Sequence, residues 1–210
     1  MNVKRIAPLA GIVFVALAVF AILILGGNTP DGTASPASVT TFYTDHHGAQ
    51  TTAAHLLPIG IFFLVVFAAG TYAALPKTRG DLARVGGVVF LLGSAVTAAA
   101  LLVAAALHLA LAEGVHDHIS PVAAQALNAV DNHNDPLFTG GLGILLIGAA
   151  AAMIPHRGAL RWLGWIALVA GVLVFTPLGF LALILALLWI IATGIFLAGW
   201  PPTKADSASS

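Results

Sequence analysis

Long apolar runs separated by short polar segments dominate the chain, and each can be measured against the ~20 residues a helix needs to cross ~30 Å of hydrocarbon. The runs are Ile6 to Leu25, Ala53 to Leu75, Val85 to Ala112 and Leu137 to Ile154, followed by a longer stretch from Trp162 to Gly199. As one helix that last stretch would be about 57 Å long, nearly twice the hydrocarbon thickness. Pro177 interrupts it in Thr176-Pro177-Leu178-Gly179, where the missing N–H and the dihedral preferences of Pro and Gly favour a reversal. The pattern predicts an all-α, polytopic membrane helix bundle of six spans, at about 6–25, 53–75, 85–112, 137–154, 162–175 and 178–199. A five-span alternative fuses the last two into one kinked helix.

Two polar segments between spans open with Ser-Pro, as Ser35-Pro36-Ala37-Ser38 and Ser120-Pro121-Val122-Ala123. Ser suits a helix N-cap and Pro the first helical position. Val39, Phe42, Tyr43 and His46 share a face in one segment; Val122, Ala126 and Val130 share a face in the other. Each is expected to be a short extracytoplasmic helix lying among the headgroups. Each ends in a similar cluster, Asp45-His46-His47 or Asp131-Asn132-His133. Span, helix, cluster and span recur about 85 residues apart, which suggests a duplicated hairpin.

Charge adds orientation. All cations, Lys4, Arg5, Lys77, Arg79, Arg84, Arg157, Arg161 and Lys204, fall on one side of the spans. His46, His47, His55, His108, His116, His118 and His133 fall on the other, with Asp31, Asp45, Glu113, Asp117, Asp131 and Asp135. Loops rich in Lys and Arg stay in the cytoplasm, so both termini are expected there; five spans would put Lys204 outside. The first span is expected to be a retained anchor. Its apolar stretch exceeds a typical signal core, and Gly26-Gly27-Asn28-Thr29-Pro30 offers no A-x-A site. Residues 201–210 have the composition of a disordered cytoplasmic tail.

Composition narrows the chemistry. With 60% hydrophobic residues, 8% charged and a mean hydropathy of +1.01, the solvent of this chain is lipid. The absence of Cys excludes thiolate metal sites, disulfides and thiol catalysis, so any metal would use imidazole and carboxylate. Zero formal net charge and scattered cations argue against nucleic acid. Within the spans, Thr71, Ser94, Thr97, Thr139 and Thr193, with Gly86, Gly93, Gly140, Gly141, Gly143, Gly148, Gly164 and Gly171, suit close helix approach. No Asp, Glu, Lys or Arg sits at mid-membrane, where each would cost about 2.5–3.5 kcal/mol on insertion scales.

The histidines are the candidate metal ligands: His47, His55, His108, His116 and His118. His55 and His108 lie near the outer ends of the second and third spans, where two facing imidazoles could hold a haem iron or a divalent metal. The plainer reading has these rings bonding to headgroups, carbonyls or water. Pro58 would free the Ala54 carbonyl as a local partner for His55. There is no H-E-x-x-H and no G-x-S-x-G, so metalloprotease and esterase chemistry lack their usual signals. Trp162 and Trp200 bracket the last hairpin as interface anchors.

Phe42-Tyr43-Thr44-Asp45-His46-His47-Gly48, Ala106-Leu107-His108-Leu109-Ala110-Leu111-Ala112, and the stretch from Arg161-Trp162-Leu163-Gly164-Trp165 through Thr176-Pro177-Leu178-Gly179-Phe180 carry a resemblance. They resemble an uncharacterised family of small actinobacterial multi-pass membrane proteins defined only as a domain of unknown function. The resemblance implies a bacterial plasma membrane and a compact helical bundle. The expected function is that of a non-enzymatic integral membrane protein, structural or accessory, with a His/Asp-rich extracytoplasmic cap and no required cofactor. Its partners would be the lipid bilayer and a membrane protein or a second copy. The alternatives are a metal- or haem-binding redox protein using His55 and His108, and a small-solute or lipid transporter.

Overall fold

The computed structural model describes residues 6–25, 29–76, 80–133 and 135–199. Expectations placed on Lys4, Arg5, Lys77, Arg79, Trp200, Lys204 and the tail 201–210 lie outside the described residues. Among the described residues the regular structure is entirely helical. A 3₁₀ turn, Ala7–Leu9, leads into α1 (Ala10–Val19), which continues as a π-helix over Phe20–Leu25. Then come α2 (Pro36–Asp45), α3 (His47–Ala74), α4 (Gly80–His116) and α5 (Pro121–Asn132). The chain finishes with α6 (Asp135–Met153), α7 (Ala159–Leu173) and α8 (Gly179–Gly199).

Four helical stretches are long and apolar enough to cross a membrane: α3, α4, the stretch Pro121–Met153 containing α6, and α8. Ala7–Ile22 and α7 are apolar but shorter. The long run at the end of the chain does reverse. Gly179 N–H donates to the Thr176 carbonyl at 3.0 Å and Leu178 N–H to Thr176 Oγ1 at 3.2 Å, so α7 and α8 form a hairpin around Pro177. The Phe175 ring at this turn lies where a side chain on Gly143 would stand.

α4 and α6 pack backbone to backbone. Gly86 faces Ala151 and Ala152, Phe90 faces Gly148, Gly93 faces Leu145, and Thr97 faces Gly141. The partners run backward along α6 as α4 runs forward, an antiparallel register with a glycine at every level. A Cβ on any of these glycines would stand closer to the opposite backbone than real Cβ atoms do. Small residues here allow the close approach that drives helix association in lipid, where apolar burial gives little advantage. The hydroxyls of Ser94 and Thr97 turn back to the Phe90 and Gly93 carbonyls at 2.8 Å, so their burial leaves neither hydroxyl unmatched.

The centre of the bundle is filled by Phe67 of α3, Phe90 of α4 and Trp189 of α8. Their rings meet edge to face with centroids 6.3–6.4 Å apart. Trp189 is buried, and its Nε1–H donates to the Leu163 carbonyl of α7 at 2.9 Å.

A second, smaller core lies at the histidine end. At 1.5 Å per residue the 37 residues of α4 extend about 56 Å, well beyond the hydrocarbon. Its outer turns act as a post for α2 and α5: Leu111, Ala112 and Val115 pack with Val39, Tyr43 and Ala124. The Ser-Pro starts behave as expected. Ser35 Oγ accepts from Ser38 N–H and Ser120 Oγ from Ala123 N–H, both at 3.2 Å.

The two short helices present opposite outer faces. α2 turns Val39 and Tyr43 into the protein core and leaves Ser38, Thr41, Thr44 and Asp45 exposed. Its apolar face therefore meets protein, where headgroups were expected. α5 does the reverse, exposing Val122, Ala126 and Val130 while burying Asn128 and half-burying Gln125.

Candidate functional site

His108 joins three helices. From α4 its Nδ1 faces Asp131 Oδ2 of α5 at 3.3 Å, and its Nε2 faces Gln50 Oε1 of α3. Both ring nitrogens therefore face oxygen atoms, one from a carboxylate and one from an amide. Gln50 is completely buried, while His108 and Asp131 are mostly so. Tyr43 of α2 closes the group, its ring edge-on to His108 with centroids 5.8 Å apart. Tyr43 is fully buried and its hydroxyl has no hydrogen-bond partner. Burial pushes the phenol well above its usual range, and the Asp131 carboxylate adds to the shift.

The inward face of α5 grips the segment leading to α2. Asn128 Nδ2 donates to the Asp31 carbonyl at 2.8 Å and to the Pro30 carbonyl at 3.3 Å. Asn132 Nδ2 reaches Pro30 O at 3.1 Å, and Gln125 Nε2 reaches Ala34 O at 3.0 Å. Asp31 turns its own segment: Oδ1 accepts from Thr33 Oγ1 at 2.7 Å and from Thr33 N–H at 2.8 Å. These bonds hold its carboxyl below the ordinary aspartate value.

A third group lies between the N-terminus of α3 and the C-terminus of α4. Glu113 Oε1 accepts from Thr51 Oγ1 at 3.0 Å and lies 3.4 Å from His47 Nε2. That imidazole nitrogen is itself buried and makes no hydrogen bond. The His47 and His116 rings stack with centroids 4.4 Å apart. Beside them opens a cavity of about 240 Å³ lined by Thr40, Thr44, His47, Val115, His116, His118 and Ile119.

His118, two residues past the end of α4, has φ of +63°, the left-handed position that glycine usually occupies. His118 N–H donates to Val115 O at 3.1 Å and Ile119 N–H to Gly114 O at 2.9 Å, completing the reversal that brings His118 to the cavity.

Of the five histidines singled out from sequence, His47, His116 and His118 thus line one cavity, and His108 belongs to the neighbouring cluster. His55 stands apart, exposed, with Nδ1–H donating to the Thr51 carbonyl at 2.7 Å. That carbonyl replaces the expected Ala54 partner because a histidine ring folds most readily onto the preceding turn of its own helix; His46 and His133 do the same with Phe42 and Ala129. Among the described residues no three His, Asp or Glu side chains already converge as metal ligands.

Sequence reasoning passed over Gln50, Tyr43 and Asn128 as parts of the site. It also passed over Glu113 as a partner of His116, although Glu113-Gly114-Val115-His116 puts both side chains on one helical face. No protein-family model, curated protein or solved structure matches the chain.

Proposed function

We propose that this chain is a six-span integral protein of a bacterial plasma membrane, with both termini in the cytoplasm and an accessory or structural role. Its outer face carries a cap, α2 and α5, docked on the end of α4. The observation that carries the reading is the inverted polarity of α5. A helix facing water would expose Asn128 and bury Val122 and Val130, whereas this one buries the amide and presents the valines outward. Leu137, in the first turn of α6, is likewise exposed, as are Leu102 and Val103 on α4. Such a helix fits the headgroup boundary with its apolar face toward the acyl chains.

The remaining support is chemical. Among the described residues the polar groups of the cap bond mainly to one another and to the chain, with no Ser nucleophile activated by a neighbouring base. The aromatic centre of the bundle favours a scaffold over a transport path. Lipid is the first partner, and a membrane protein or second copy meeting the polar outer face of α2 is the next.

Because the chain has no Cys, single-cysteine labelling tests the topology directly. Thr41→Cys should react with a membrane-impermeant maleimide in intact cells, while Arg157→Cys and Ser207→Cys should react only after permeabilisation. Labelling of Ser207→Cys from outside would overturn the six-span reading, and protection of Thr41→Cys would overturn the external cap.

A further inference from the structure

We propose that His47, Glu113 and His116 form a binding site for a divalent transition-metal ion beside the cavity of about 240 Å³ that the two histidines line. This goes beyond the accessory role and does not depend on it. The three side chains are already neighbours. Glu113 and His116 stand three residues apart on the outer end of α4, so both project from one face. His47 enters from α3 and touches each of them, with the carboxylate 3.4 Å from Nε2 and the His116 ring stacked at 4.4 Å.

The 3.4 Å separation is close to the ~3.3 Å edge of a tetrahedron whose metal–ligand bonds are about 2.0 Å. It is also poor for a hydrogen bond, and His47 Nε2, buried and without one, is the kind of lone-pair donor a metal would take up. What the resting arrangement lacks is convergence: the His116 ring lies nearly parallel to that of His47. Convergence requires the His116 ring to turn out of the stack with His47. His118, which lines the same cavity, is placed to follow as a fourth ligand, or else that position stays open to water.

The ligand class follows from charge and donor type. Sequence positions 29–55 and 105–133 contain Asp31, Asp45, Glu113, Asp117 and Asp131 and neither Lys nor Arg, so the cap attracts cations and repels anions. Two imidazoles and one carboxylate suit zinc, copper or nickel in preference to magnesium or calcium, which take oxygen ligands.

The test uses full-length, tag-free protein in nanodiscs, titrated with Cu²⁺ and read by electron paramagnetic resonance, with Zn²⁺ competition. The expected result is one saturable equivalent showing nitrogen splitting from imidazole. His47→Ala, His116→Ala and Glu113→Gln should each weaken it about tenfold or more, while His55→Ala with His133→Ala leaves it unchanged. His47→Gln and His116→Gln, checked by thermal melting without metal, separate loss of a ligand from loss of the fold. Absence of a saturable equivalent, or its survival when His47 and His116 are both replaced, would overturn the proposal.

Discussion

His108 Nδ1 lies 3.3 Å from Asp131 Oδ2, a contact that fastens the post of the cap to the helix lying across it. The pair spans 23 residues of sequence and is more than four-fifths buried on each side, so water does little to weaken it. Asp131→Ala should leave the imidazole without its carboxylate and cost about 1.5–3 kcal/mol, the range for hydrogen bonds to charged groups. The local readout is faster hydrogen exchange across α5, with α7 and α8 unchanged; an unchanged α5 would remove the pair from the docking of the cap.

Tyr43→Phe should leave the protein as stable or raise its stability by about 1 kcal/mol, because the buried hydroxyl gains no bond in return for its lost hydration. The same residue sets an alkaline limit. Its phenol ionises at higher pH when folded than when unfolded, so its contribution is complete below the unfolded value of about 10 and is lost as pH rises toward the folded one. Thermal melts should therefore fall above about pH 10 in the parent protein and fall less steeply in Tyr43→Phe. Equal slopes would show that Tyr43 does not govern the limit.

Gly93→Ala and Gly140→Ala make a matched pair on facing helices. A methyl at Gly93 meets the Leu145 backbone, whereas one at Gly140 meets nothing within 4 Å. The first should cost at least about 1–3 kcal/mol by overpacking. The second should be neutral or favourable by up to about 1 kcal/mol through helix propensity. Resistance to SDS-induced unfolding distinguishes them, and an equal response would deny the backbone contact between α4 and α6.

Asn128→Ala should release the segment before α2. Asn128 is 1% exposed and its amide donates to both the Asp31 and Pro30 carbonyls, so removal leaves those acceptors without this donor and costs about 1–3 kcal/mol. Limited proteolysis near Thr33 should accelerate while cleavage elsewhere keeps its rate.

Much of the bundle was legible from run length alone, because a lipid-crossing helix must be apolar for about 20 residues and Pro177 sits where one run is too long. The Ser-Pro starts were legible for an equally local reason. The outer faces of α2 and α5 were not. Periodicity places Val39 with Tyr43 and Val122 with Val130, but it does not say whether protein or lipid covers either stripe; that depends on how far α4 projects. For the same reason Asn128 reads as an ordinary polar position of a short helix until the Pro30 and Asp31 carbonyls are placed beside it. The histidines were legible as a group and their partners were not, since Gln50 and His108 are 58 positions apart.

The glycine register between α4 and α6 has a mechanical consequence. Where backbone rests on backbone, from Gly86 to Thr97, the two helices have no compliant layer of side chains between them and resist shear as one beam. Gly140, just beyond, has open space beside it, and from Thr97 outward α4 continues for about 28 Å with α3 as its brace, through Gln50, Thr51 and His47. Its tip bears Glu113 and His116 and its flank bears His108, so a load on α2 or α5 passes through those side chains into α3 and α4 together.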